Sequence, residues 1–280
     1  MPIFTRPDGT LARDVPAYRR LMPYLMRTRN ESAVYFDQQL DLTRTVPFLQ
    51  RFNMGSSHRA TVFHVFLYAA VRVMHERPRL NRFVAGGRIW QRDGIWVSFS
   101  AKKSLSDDAP IVVVKRRLDP THDFATMMAS LGEGIREGRS EKKSTVDKEL
   151  AVILALPGPL IRLVMAAQRF LDGWGLLPRA MIDTDPMYAS LFVANLGSLK
   201  MEAASHHLYE YGNIPIFAAV GRVKNVPTVR DDGSVASHTV CDVKYTFDER
   251  VEDGLYCAQA MERLRHIVED PDQYVTLPRG

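Results

Sequence analysis

From Thr239 to Phe247 the chain changes character at every step: Thr239, Cys241, Val243, Tyr245 and Phe247 alternate with Val240, Asp242, Lys244 and Thr246. A period of two is the pattern of a strand with one covered face. The period then lengthens. Leu255, Ala258, Met261, Leu264 and Val268 recur at helical spacing until Asp270-Pro271 stops them. The residues between, Asp248-Glu249-Arg250-Val251-Glu252-Asp253-Gly254, must turn a strand into a helix within a few positions. Any fold for this chain has to accommodate that charged junction at a strand end.

The rest of the chain mixes the same two periods. Ala33 to Leu42 alternates like a strand, Ser190 to Leu196 and Ile214 to Val223 are β-rich, and Asp232-Gly233 marks a turn, so the last hundred residues read as an antiparallel meander. Arg88-Ile89-Trp90 and Ile95-Trp96-Val97 flank Arg92-Asp93-Gly94, which predicts a two-stranded ribbon closed by the Asp-Gly pair; Ile111 to Val114 is a further strand. Helices are expected over Ala17 to Thr28 (despite Pro23), over Thr61 to Glu76, whose charges are confined to Arg72 and Glu76, and after Pro120, carrying Phe124, Met127, Met128 and Leu131. Strands and helices without a repeating βαβ rhythm indicate an α+β protein.

The length of 280 residues and 46% hydrophobic content support one large domain or two ordinary ones. Lys and Arg exceed Asp and Glu by 37 to 32, with no basic stretch interleaved with aromatics, which argues against nucleic acid. His238 lies three positions before Cys241 and would face the other way on a strand, and Cys257 has no partner at ligand spacing, so both thiols are expected reduced and buried in a cytoplasmic protein. The N-terminus has no apolar run behind a basic start. From Gly132 to Glu149 ten of eighteen residues are charged and three are Gly, the composition of a linker. Leu150 to Leu177 is strongly apolar with Arg162, Arg169 and Asp172 as its charges. Its uncharged part ends at Ile161, too short to span a bilayer and interrupted by Pro157 and Pro159. A helical hairpin packed on its own domain is the favoured reading there; contact with a membrane surface and self-association are the others.

The junction carries a resemblance. Phe247-Asp248-Glu249-Arg250-Val251-Glu252-Asp253-Gly254 resembles the Asp-His-Arg-x-x-Asp-Gly signature of the dihydrolipoyl acyltransferase core of 2-oxoacid dehydrogenase complexes, with Glu249 where that family and the related chloramphenicol acetyltransferases place the catalytic His. Ala194-Asn195-Leu196-Gly197 is similar to its Ser-Asn-Leu-Gly, Gly221-Arg222 to the strand that follows, Arg77-Pro78-Arg79-Leu80-Asn81 to the Pro-x-Leu-Asn that closes an early helix, and Leu40-Asp41-Leu42-Thr43 to its first core strand. The matches fall in the family's order from about Tyr18 to Pro271, with Gly132 to Pro186 outside or poorly matched. The resemblance implies a single core domain over residues 1–280, with the linker and apolar helical insertion at about 132–180. It also implies a mixed sheet flanked by helices and assembly into trimers with an active site at each subunit boundary. Those trimers can build a larger cage. It implies a standalone core without lipoyl or peripheral-subunit-binding domains, so any lipoyl group would arrive in trans. No cofactor is required by this reading, and coenzyme A is the ligand left open.

Acyl transfer between thiols needs a base for the attacking thiol and a donor for the oxyanion. In the family these are the motif His and a Ser hydroxyl, and the matching positions here are Glu249 and Ala194. A carboxylate near pKa 4.3 facing a thiol near 8.5 leaves about 5.7 kcal/mol of unfavourable proton transfer unless burial raises the acid. Loss of an oxyanion donor adds about 2.7 to 4 kcal/mol. Asp253 is implied to pair with an Arg of the N-terminal helix, Arg27 or Arg29; otherwise it is a helix-terminal carboxylate beside the Gly254 turn. Retained Asn195, Asp253 and Gly254 with both reactive positions altered suggest a preserved scaffold with activity lost or much reduced. The rivals are a coenzyme A-dependent transferase using Glu249 as base and a peripheral lipid-binding protein acting through 150–177. His206-His207 with Glu210 is expected to be a solvent-facing pair rather than a metal site, and His64 a core histidine. Dinucleotide, phosphate-loop and serine-hydrolase signatures are absent from the sequence.

Overall fold

A computed structural model describes residues 5–56, 58–102, 111–139, 153–229 and 232–276. Two sheets organise the chain. The smaller is antiparallel, in the order β1 (Thr5–Arg6), β2 (Gly9–Leu11), β5 (Arg88–Arg92), β4 (Arg82–Ala85). The larger runs β3 (Ala33–Asp41), β10 (Val235–Asp248), β9 (Ile216–Val229), β8 (Leu191–Asn195), β6 (Ile95–Lys102), β7 (Ile111–Leu118). Its outer pairs are antiparallel, while β8 runs parallel to both β9 and β6, so the sheet is mixed.

The alternation read in the sequence sets the core. Cys241, Val243, Tyr245 and Phe247 of β10, Ile216, Ala218 and Val220 of β9, and Leu191 and Val193 of β8 face one cluster, and helices cover that side. They are α2 (Thr45–Met54), α3 (Val62–Glu76), α4 (Phe124–Arg139) and α7 (Gly254–Glu269). Phe192, Phe217 and Ala219, one residue out of step, pack into a second cluster on the opposite face with Leu208 and Ile214. After β2 comes α1 (Ala17–Leu25), which leaves Leu21, Tyr24 and Leu25 exposed.

Several expectations are corrected. The Arg92-Asp93-Gly94 turn does have Gly94 at positive φ, but it carries the chain from one sheet to the other: β5 pairs with β2 and β4, and β6 with β7 and β8. The last hundred residues are not a pure meander because β8 is parallel to β9. The expected linker is helical through Arg139, as the end of α4; residues 140–152 lie outside the described residues. The apolar insertion supplies α5 (Gly158–Gly173), which packs on the body through a half-buried side without a fully buried residue, while the start of the expected hairpin, through residue 152, lies outside the described residues; α6 (Arg179–Thr184) follows and buries Ile182. In α7, Leu255 and Ala258 are exposed, and Ala260 and Ile267 join Met261, Leu264 and Val268 in the core.

Candidate functional site

The junction after β10 is held at nearly every residue. Asp248 and Arg250 form a buried fork: Arg250 Nε donates to Asp248 Oδ1 at 2.8 Å and Nη2 to Oδ2 at 2.6 Å. Ser32 Oγ donates to the same carboxylate at 3.0 Å, and Arg250 Nη1 ties the pair to the Met26 carbonyl at 3.1 Å. Charged groups this deeply buried are tolerated only with their hydrogen bonds satisfied. Val251 is buried with Val15, Val84 and Ile89. The Glu252 carboxylate is buried among three guanidinium groups, Arg79 at 3.3 Å, Arg19 at 3.8 Å and Arg82 at 3.9 Å. Asp253 caps α7 by accepting from the Tyr256 N–H at 2.9 Å, and that backbone hydrogen bond holds its carboxyl below the usual range.

Glu249 is the exception. Its backbone is fixed, N–H to the Ser32 carbonyl at 3.0 Å and carbonyl to Arg19 Nη1 at 2.9 Å, while its side chain is exposed. The loop is thus a rigid mount that presents one carboxylate. Beside it starts β3, an edge strand whose Val34, Tyr35 and Phe36 are exposed.

The second motif lies elsewhere on the same sheet. Asn195 ends β8 and caps the following 3₁₀ turn, its Oδ1 accepting from the Ser198 N–H at 3.2 Å. Two motif glycines let this turn lie on β9: a Cβ on Gly197 would stand 2.5 Å from the Gly221 carbonyl oxygen, and one on Gly221 would stand 2.6 Å from the Ala203 nitrogen. Ala194 is half-buried and offers no hydroxyl, and the nearby Ser198 hydroxyl donates to the Asn195 carbonyl at 2.7 Å. A cleft of ≈690 Å³ opens here between the turn and the segment joining α2 to α3, lined among others by Asn195, Gly197, Arg59, Lys200 and Arg222.

The two motifs do not meet within one chain. Asn195 pairs with Val220, and Val220 with Val243 on β10. Glu249 lies six residues further along, about 20 Å at the rise of a strand. Any chemistry that joins these positions therefore needs two copies of the chain.

Other candidates sort plainly. The Arg that approaches Asp253 is Arg19, at 3.9 Å, not Arg27 or Arg29. The Arg27 N–H donates to Glu31, and Arg29 is buried with its guanidinium on the Tyr209 and Glu210 carbonyls. Gly254 opens α7 directly after the Asp253 cap. His206 and His207 stack at 4.7 Å rather than pointing apart; His207 is exposed as expected, and His206 is half-buried on Phe217 at 4.0 Å. Glu210 accepts from the Asn30 side chain and the backbone of Arg29 and Asn30. Among the described residues no group of His, Cys, Asp and Glu could hold a metal. His64 is committed to a capping box, its Nδ1 accepting from the Thr61 N–H, and burial lowers it to about 4. Burial pushes the Cys241 and Cys257 thiols up to about 12, which leaves them inert at neutral pH. Arg19 and Glu252, the main ties of the loop, were not singled out from sequence. The only signal for Glu252 was its place among the four carboxylates of the junction.

Comparison with known proteins bears out the resemblance. Residues 184–276 match the family model described as the catalytic domain of 2-oxoacid dehydrogenase acyltransferases, a span that holds the Asn195 turn, Gly221 and the whole junction. The lipoamide acyltransferase component of the branched-chain alpha-keto acid dehydrogenase complex of Bacillus subtilis (strain 168) is 21% identical over 240 residues, 84% of this chain. The chain spans about half of that relative's length, 46%. Among solved structures, dihydrolipoamide acetyltransferase of Azotobacter vinelandii, studied for the role of a serine, a histidine and an asparagine in its mechanism, superposes with a TM-score of 0.62 at 16% identity, covering 94% of this chain and 93% of that one. The cubic core of a pyruvate dehydrogenase multienzyme complex gives 0.59 at 14% (94% and 93% covered), and a chloramphenicol acetyltransferase 0.55 at 12% (93% and 99%). At such identities these structures establish the fold: a chloramphenicol acetyltransferase-like mixed sheet flanked by helices.

Proposed function

We propose that this chain is an acyltransferase-core-like protein of the cytoplasm that assembles through trimers, that its thiol acyl-transfer activity is lost or much reduced, and that it serves as a scaffold or binding component. The observation that carries the reading is the junction itself: every neighbour of Glu249 is tied down, and the presented side chain is a carboxylate where relatives place an imidazole. Ala194 removes the second reactive group. A carboxylate is a far weaker base than imidazole toward a thiol, and the missing donor raises the barrier again.

Assembly is supported by the separation of the two motifs along the sheet and by the exposed apolar residues of the edge strand β3, a surface type that soluble chains cover. One relative of this fold forms a cubic core, and trimers stacked into a larger cage are the corresponding proposal here. The basic side chains Arg59 and Lys200 at the Asn195 cleft suit an anionic thiol carrier such as coenzyme A, with any lipoyl group presented in trans.

A coupled thiol-release assay on the wild type and on Glu249→Gln tests the activity claim, with light scattering for the assembly. Background-level release from both, from a particle of three or more chains, is expected. The alternative, Glu249 as general base, requires a neighbouring subunit to strip water from that carboxylate. Turnover in the wild type that Glu249→Gln abolishes would establish it and overturn the scaffold reading.

A further inference from the structure

The helix α5 has two apolar faces, and the protein uses one. Ile161, Val164, Met165, Gln168 and Asp172 are half-buried on the side turned to the body. Three ties fix that side: Gln168 Nε2 donates to the Tyr188 hydroxyl at 2.6 Å, Arg6 donates to both the Asp172 carbonyl and its carboxylate at 2.6 Å, and Gly173 abuts Gly86 so closely that a Cβ on Gly86 would stand 2.0 Å from the Gly173 oxygen. The other face presents Leu160, Leu163, Phe170, Leu171 and Trp174, all exposed, in a stripe roughly 100° wide at helical spacing. Arg162 and Arg169 are exposed on the polar side of the helix, roughly 80° beyond one edge of this stripe. The one carboxylate of α5, Asp172, is held inward by Arg6.

We propose that this outer face of α5 docks the protein onto a membrane surface containing anionic lipids. A rigidly mounted helix with Leu, Phe and Trp on one side and Arg on its polar side fits the chemistry of an interfacial helix, whose apolar side chains enter the acyl boundary while guanidinium groups meet lipid phosphates. Among the described residues no helix is long and apolar enough to cross a membrane, so α5 would lie on the surface. A second copy seated on the same stripe would leave Arg162 and Arg169 turned away from the contact with no carboxylate of α5 to meet them, whereas the headgroups around a helix lying in a membrane surface neutralise them.

The test is co-sedimentation of the full chain with phosphatidylcholine vesicles, with and without about a third phosphatidylglycerol, alongside Trp174 emission. Binding to the anionic vesicles with a blue shift that Trp174→Phe removes is expected. Arg162→Gln with Arg169→Gln should lower that binding about 25-fold, roughly fivefold per charge, and Phe170→Ser with Trp174→Ser at least as much. Circular dichroism should show all variants folded, since these side chains are exposed. Absence of binding, equal binding to neutral vesicles, or binding that neither pair of substitutions changes overturns the proposal. So does loss of oligomer mass in Phe170→Ser/Trp174→Ser without lipid binding by the wild type, which would assign the face to a second copy.

Discussion

Replacing Arg250 by Met should unfold the protein far more readily than any change at Glu249 next to it. Arg250 supplies two side-chain hydrogen bonds to Asp248 and one to the Met26 carbonyl, and both partners of the ion pair are almost completely buried. Arg250→Met keeps the apolar stem but strands the Asp248 carboxylate with only the Ser32 hydroxyl and a backbone N–H. Breaking one side of a buried pair costs about 3 to 5 kcal/mol, a large part of the 5 to 15 kcal/mol that holds a typical domain together. Glu249→Gln changes an exposed group and should fall within about 0.5 kcal/mol. Urea denaturation at fixed protomer concentration, followed by tryptophan emission, measures both. Asp248→Asn combined with Arg250→Met removes the stranded charge and should recover at least half the loss. An Arg250→Met cost below about 1 kcal/mol, or a Glu249→Gln cost equal to it, would refute the description of the loop as a rigid mount.

Gly221→Ala should destabilise by about 1 to 3 kcal/mol, because the new Cβ meets backbone on two sides, the Ala203 nitrogen at 2.6 Å and the Asp242 oxygen at 3.1 Å, and backbone yields poorly; an unchanged melting temperature would count against that packing. Acidification should weaken the fold through His64. Burial holds it near 4 in the folded chain against 6.5 for a free imidazole, so the unfolded chain takes up the proton first, and stability present above pH 6.5 is lost as pH falls toward 4, by up to about 3 kcal/mol. His64→Gln, which can still accept from the Thr61 N–H, should flatten that part of the stability profile measured by denaturant titration.

What the sequence disclosed depended on how local each signal is. Cys241, Val243, Tyr245 and Phe247 all reach the main cluster because a strand with one covered face writes its burial into every second residue. Periodicity says nothing about direction or partner. The parallel placement of β8 beside β6 and the transfer of the chain between sheets at Gly94 depend on strands about eighty or more residues apart. The same limit hid Arg19, which reaches Glu252 and the Glu249 carbonyl across more than two hundred residues. The motif positions Glu249, Asn195 and Ala194 were legible because each belongs to a short string. Their separation along the sheet was not, since it follows from the register of three strands. The apolar content of α5 was plain, but hydrophobicity alone does not say which of two apolar faces a body covers.

The junction also shows why likeness to a catalytic motif is weak evidence for catalysis. Asp248 and Arg250 satisfy each other in the core, Val251 fills an apolar cluster, Glu252 neutralises part of an arginine nest, and Asp253 starts a helix. Each of these would be needed for the chain to fold even if no acyl group were ever transferred. The same holds for Gly197 and Gly221, which permit two backbones to touch. Glu249 is different in kind, since its side chain is exposed and its backbone hydrogen bonds do not depend on what it carries. Half-buried Ala194, at a strand end, gives up only a hydroxyl. The reactive positions are thus the ones where the fold exerts little demand, so they can change while the rest of the motif stays. Under the proposed function, that asymmetry lets an acyltransferase-like fold stand with Glu249 and Ala194 at the positions matched to the base and the oxyanion donor.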